Sequence, residues 1–201
     1  MPVENKSESC NASPLELSGK LPLLSDLPRI VNPWETVELP VDILLLTVED
    51  CEFLSCFAHL KTPIKSYHIS TGFVYFGCMG DVQGKEMKIA LIRCPKSTDA
   101  PRGLFSVSKD VMLLLRPKTI FSVGACSGLN NKKVKLGDVV VSAKLITAAH
   151  KTPPGRDISN LIKHVADGWK APLQNVDECN AKVHCDGVVL SISEADRKSV
   201  V

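Results

Sequence analysis

A β-branched run that stops at five consecutive small residues constrains this chain more than any other feature. Thr119, Ile120, Phe121, Ser122 and Val123 read as a buried strand. Gly124, Ala125, Cys126, Ser127 and Gly128 follow directly. Small residues at a strand end let a ligand come close to the backbone, and glycine tolerates the unusual dihedrals such a turn needs. N–H groups exposed there can hold a hydroxyl or an anion. After a polar turn around Asn130 and Asn131, Leu136, Gly137 and Asp138 lead into a second strand at 139–142. Gly137 and Asp138 are expected to shape the turn entering it.

The remaining elements fit around that stretch. Residues 41–48 (VDILLLTV) form the first strong strand, and 49–60 follow as a helix with Glu49, Asp50 and Glu52 in its first turn. Acids there suit the helix dipole and need no other explanation. Residues 72–79 and 87–94 pair as a hairpin through the turn at 80–85. Residues 104–116 form a helix ended by Pro117. Beyond the central stretch, 145–149 extend the second strand, 157–168 fit a short helix and 183–191 form the last strand. The order strand, helix, hairpin, helix, strand, strand, helix, strand predicts an α/β sandwich with a mixed sheet. Residues 1–40 hold six prolines and no periodic pattern, so they are expected to be a disordered or extended leader. Residues 194–201 are a polar tail, and 41–193 form the domain.

The strand followed by Gly-Ala-Cys-Ser-Gly-Leu, a short basic loop and Lys-Leu-Gly-Asp-Val-Val-Val-Ser closely resembles the nucleoside phosphorylase and methylthioadenosine/adenosylhomocysteine nucleosidase superfamily. The likeness covers about residues 41–193 and implies a three-layer α/β/α sandwich around a twisted mixed central sheet. It implies a function in nucleoside metabolism, the cleavage of the N-glycosidic bond of purine-type nucleosides. Ligands in such sheets collect at the carboxyl ends of strands. On this resemblance Gly124, Ala125, Cys126, Ser127 and Gly128 line a nucleoside pocket, and Glu52 matches the glutamate that orients water in the nucleosidases. A helix-surface acid explains Glu52 equally simply.

Anion binding is less well supplied. Many phosphorylases of this superfamily carry an arginine two residues before the strand-end glycine, where this chain has Ser122. Arg93, Lys96 and Arg102 are the candidates for holding an anion, and surface charge is their ordinary role. The resemblance implies no cofactor, with phosphate as a co-substrate only in the phosphorylases. It implies a small-molecule nucleoside partner and a homo-oligomer. Family members run on beyond the position of Ser191 into segments that bind the ribose hydroxyls and protonate the base. Glu194 and Asp196 match neither segment, so a shortened fold lacking its C-terminal part is expected. Weak or absent catalysis is expected with it. A catalytically inactive nucleoside-binding or scaffold domain is the alternative.

Composition excludes other classes. A net charge of +2 on 201 residues gives no reason for nucleic acid or an anionic membrane. No apolar run reaches the roughly 18 residues of a membrane span. The start, Met-Pro-Val-Glu-Asn-Lys, is polar and carries an acid, which predicts a cytoplasmic chain with its eight cysteines reduced. Cys179, His184 and Cys185 fit no common zinc spacing, and no metal is expected. Gly124 and Gly128 do not give the G-x-G-x-x-G spacing of a dinucleotide-binding oxidoreductase. No histidine stands near Cys126 in sequence to activate it as a nucleophile.

Overall fold

The computed structural model describes residues 16–82, 85–95, 104–126, 133–146, 151–152, 156–174 and 181–190. The chain divides into two compact units, Leu21–Ser127 and Met1–Lys20 with Gly128–Val201.

In the first unit an almost wholly apolar strand, β2 (Ile43–Thr47), follows β1 (Val31–Asn32). The helix α1 (Asp50–Phe57), strands β3 (Lys61–His68), β4 (Gly72–Val82) and β5 (Lys85–Arg93), helix α2 (Leu104–Leu115) and strand β6 (Thr119–Ser122) come after it. The six strands form one mixed sheet in the order β1-β3-β4-β5-β2-β6. β2 is parallel to both of its neighbours, β5 and β6, whereas β3, β4 and β5 run antiparallel in succession.

The period-2 geometry of strands divides the apolar residues of this sheet between its two faces. Leu44, Val74, Phe76, Ala90 and Ile92 point to one face and pack with Val111 and Leu115 of α2. Leu45, Tyr75, Ile89 and Leu91 point to the other and pack with Phe53, Cys56 and Phe57 of α1. Both faces of β2 are therefore covered, which is why its sequence reads as a continuous apolar run rather than an alternating one. Helix, sheet and helix make the three-layer α/β/α arrangement. Leu44, Leu91 and Val74 have no exposed surface, and full burial of side chains of this size contributes about 1.5–3 kcal/mol each.

Asp42 fastens the amino end of β2 to both neighbours. Its carboxylate accepts the Lys88 N–H at 2.8 Å and the Lys118 ammonium at 2.7 Å. Those bonds hold its carboxyl below the usual range, the Lys118 hydrogen bond most of all.

Four features differ from the sequence expectations. β6 was expected to be buried, but Ile120 is 39% exposed and the strand's exposure alternates. The reason is position: β6 ends the sheet among the described residues, with only β2 beside it. β3 carries no strand signal because Pro63 interrupts a polar run. The proline sits where the register with β4 shifts between Lys61 and Ile64, one of the places a strand tolerates it. The helix α1 ends at Phe57, three residues short of the expected Leu60. The region expected as a leader also contributes structure. Val31 and Asn32 pair in parallel with Lys65 and Ser66, and Trp34 lies edge-on to Phe76 at 5.7 Å.

In the second unit β7 (Val139–Ile146) pairs in parallel with β9 (Val183–Leu190) and antiparallel with β8 (Lys151–Thr152); α3 (Arg156–His164) completes it. Leu17 bridges to Leu173 in this unit. Asp138 ties the entry of β7 to β9, as its expected turn-shaping role requires. It accepts the Lys135 and Lys182 N–H groups, each at 2.9 Å, and its side chain lies 2.8 Å from His184 Nε2 while only 4% exposed. Burial alone would raise its pKa, but those donors outweigh it and bring it down to about 2. A carboxylate depressed in the folded state stabilises the fold above its unfolded pKa, and that contribution disappears as pH falls towards 2. The expected result is a loss of stability between about pH 4 and pH 2 that is absent in Asp138→Asn, measured by acid titration of circular dichroism. No described helix is long and apolar enough to cross a membrane.

Candidate functional site

The three parallel strands of the first unit finish at one edge. The register pairs Thr47 with Arg93 and Leu46 with Ser122. Two further backbone bonds continue the ladder past the strand ends: the Cys94 N–H to the Thr47 carbonyl at 2.7 Å, and the Val123 N–H to the Leu46 carbonyl at 2.8 Å. The buried Thr47 hydroxyl donates to the Ile92 carbonyl at 3.2 Å. Three loop starts, after Thr47, Arg93 and Ser122, therefore emerge side by side.

Glu52 ties two of them together. Its Oε2 accepts the N–H groups of Val48 at 3.0 Å and Glu49 at 2.9 Å, the second being half of a capping box. Its Oε1 accepts the Ala125 N–H at 3.0 Å, across 73 residues of sequence. A surface acid of the first helical turn would satisfy the helix start and stop there. The bond to Ala125 goes further and couples α1 to the loop of small residues.

Gly124 is not required by its dihedrals. It does not lie in the left-handed region, unlike Gly72, Gly80, Gly137 and Gly168. A Cβ built at Gly124 would stand 3.4 Å from Glu52 Oε1. That is ordinary contact for a methyl group. The unusual-dihedral argument for this glycine does not apply; what stands near it in the structure is the Glu52 carboxylate. Gly124, Ala125 and Cys126 are all exposed.

At the Val48–Glu49 loop start a cleft of about 330 Å³ opens between Val48, Glu49, Asp50, Arg93, Cys94 and Pro95. Arg93 Nη1 donates to Asp50 Oδ1 on its wall. Cys94 is buried, which pushes its thiol up to about 11. It is thus a neutral, inert wall at ordinary pH rather than a nucleophile.

The structure brings Glu52 together with Gly124 and Ala125, and puts Arg93 on the cleft. Ser127, Gly128, Lys96 and Arg102 lie outside the described residues, as does Cys179. His184 is engaged by Asp138. Sequence reasoning missed Asp50 as a site residue. It read as one more acid in a helical first turn, and only the pairing of β2 with β5 brings Arg93 against it.

No family model matches the sequence, and no curated protein matches it. Solved structures do. A methylthioadenosine/adenosylhomocysteine nucleosidase from Colwellia psychrerythraea, in complex with adenine, superposes with a TM-score of 0.55 at 13% identity, over 76% of this chain and 62% of that one. An adenosylhomocysteine nucleosidase from Streptococcus pyogenes gives 0.54 at 13% identity, over 76% and 63%. A purine nucleoside phosphorylase from Toxoplasma gondii, in complex with immucillin-H, gives 0.51 at 11% identity, over 76% and 58%. The chain thus spans less than two thirds of the length of each. At these identities the likeness is one of fold alone, the fold that these two nucleosidases and this phosphorylase share.

Proposed function

We propose that this chain, built on the fold that these nucleosidases and this phosphorylase share, binds a purine-type nucleoside at the carboxyl edge of its parallel strands and cleaves its N-glycosidic bond at the weak rate expected from its sequence. The observation that carries the reading is the Glu52 carboxylate, held by backbone N–H groups from two loop starts, one of which, at Val48 and Glu49, lines the cleft. A carboxylate fixed in this way is pre-positioned, and so loses little freedom when a substrate arrives. In the proposed reaction it accepts a proton from water as the water oxygen bonds to the ribose anomeric carbon. The C–N bond breaks, its electron pair leaves with the base, and the negative carboxylate favours the positive charge developing on the sugar. The backbone at Gly124, Ala125 and Cys126 forms the floor, where the lack of bulky side chains leaves room for the nucleoside.

One observation favours a second reading, a nucleoside-binding domain without chemistry. Both oxygens of Glu52 already accept backbone N–H groups, as a structural staple would. One experiment separates the two. The protein is incubated with inosine, adenosine and methylthioadenosine, with and without phosphate, while free base and melting temperature are followed. Free base formed at an enzyme-like rate supports the catalytic reading. A nucleoside-dependent rise in melting temperature without release assigns the binding reading. Neither response overturns both.

A further inference from the structure

We propose that Asp50 decides which attacking molecule the cleft admits: it occupies Arg93 as an internal counter-ion, so the cleft takes neutral water and excludes phosphate. The inference rests on the reading of this cleft as the nucleoside site. Among the described lining residues Arg93 is the single cation, set against the carboxylates of Glu49 and Asp50, for a formal charge of −1. A guanidinium is the natural phosphate receptor on such a wall, because its donors match a tetrahedral anion. Here Asp50 Oδ1 already takes a donor of that guanidinium.

The two partners are placed by the fold rather than by chance encounter of long side chains. Asp50 is the first residue of α1, three positions beyond Thr47. Arg93 is the last residue of β5, paired in register with Thr47. The ion pair therefore spans the two neighbouring strand ends that frame the cleft. Each side chain is about half exposed, at 53% for Asp50 and 48% for Arg93, so solvent ions can reach them. An entering phosphate would have to share the guanidinium with Asp50 and bind in a cleft lined by two like charges, Glu49 and Asp50. Water has neither obstacle.

The test measures phosphate itself, without nucleoside, by calorimetric titration of the full chain at fixed ionic strength, with sulfate as a second anion. Asp50→Asn removes the counter-ion charge and keeps the side-chain shape. It is expected to bind phosphate on the order of tenfold tighter than the unaltered chain, through loss of a competing ion pair and of a like charge at close range. The gain should vanish in the double variant Asp50→Asn with Arg93→Gln. Asp50→Ala repeats the measurement should the asparagine variant not fold. Equal phosphate affinity with and without Asp50, or a gain that survives loss of Arg93, overturns the proposal. Failure of the nucleoside reading shows separately, as no base release and no nucleoside-dependent stabilisation, and leaves the phosphate titration interpretable.

Discussion

Replacing Glu52 with Gln is expected to lower the rate of base release by about 10²–10⁴-fold, the usual contribution of a positioned general base. The amide keeps the length of the side chain but cannot take up a proton. It also has one acceptor oxygen where the carboxylate uses two. If its oxygen faces Ala125, its NH₂ faces the Val48 and Glu49 N–H groups, and the reverse orientation leaves Ala125 facing a donor. One loop start must come loose. Only the Val48 N–H is half-buried, those of Glu49 and Ala125 being exposed, so losing an acceptor costs on the order of 1 kcal/mol and a small fall in melting temperature should accompany the fall in rate. Glu52→Asp tests the geometry: it keeps the charge but is too short to reach both loop starts. The measurements are base release under saturating nucleoside and urea denaturation. If Glu52→Gln released base as fast as the unaltered chain, Glu52 would be a helix cap and nothing more.

Phe53→Ala is expected to cost about 3–5 kcal/mol, a large part of the total stability of a domain of this size. Phe53 is 2% exposed and its ring meets Tyr75 edge-on at 5.0 Å, with Phe57 stacked at 6.1 Å. The alanine leaves a void between α1 and the sheet that these rings cannot close, because Tyr75 and Phe57 are themselves held edge-on at 5.8 Å. The effect should reach the cleft. Phe53 anchors the helical turn that carries Asp50 and Glu52, so loosening it weakens both the Arg93 contact and the Ala125 bond. Reduced stabilisation by nucleoside, beyond the loss of global stability, is the expected signature. Phe53→Leu, which refills most of the void, should restore much of both. A denaturation midpoint unchanged by the alanine would mean that α1 does not depend on this contact.

The acid transition expected of Asp138 concerns the other unit, and it separates stability from function. Its partners are Lys135, Lys182 and His184, none of which lines the cleft. Asp138→Asn should change acid resistance without changing phosphate affinity.

Much of the fold is readable along the chain because strands and helices leave local signatures. Residues 43–46 are apolar without interruption since both faces of β2 are covered. Leu104–Leu115 ends where Pro117 forbids continuation, with Arg116 turning out of the helix at a φ of 47°. β4 and β5 announce themselves by a glycine-rich turn between two apolar runs. What failed was local in another sense. β3 is polar and interrupted by Pro63, and β1 is only two residues long. Both owe their strand character to neighbours that supply hydrogen bonds, not to their own composition. β6 looked buried because its residues are β-branched and aromatic, but strand propensity does not report whether a second neighbour is present.

The same division runs through the site. The sequence by itself determined that a strand ends in small residues, that an acid sits in the first turn after another strand, and that an arginine closes a third. Only the tertiary structure decided that these three ends share one edge. It set Glu52 against Ala125 and Asp50 against Arg93, contacts 73 and 43 residues apart in the chain. Side-chain periodicity records which face of an element is covered. Strand order and register are fixed by non-local backbone pairing, and that pairing leaves no mark on any single stretch of sequence.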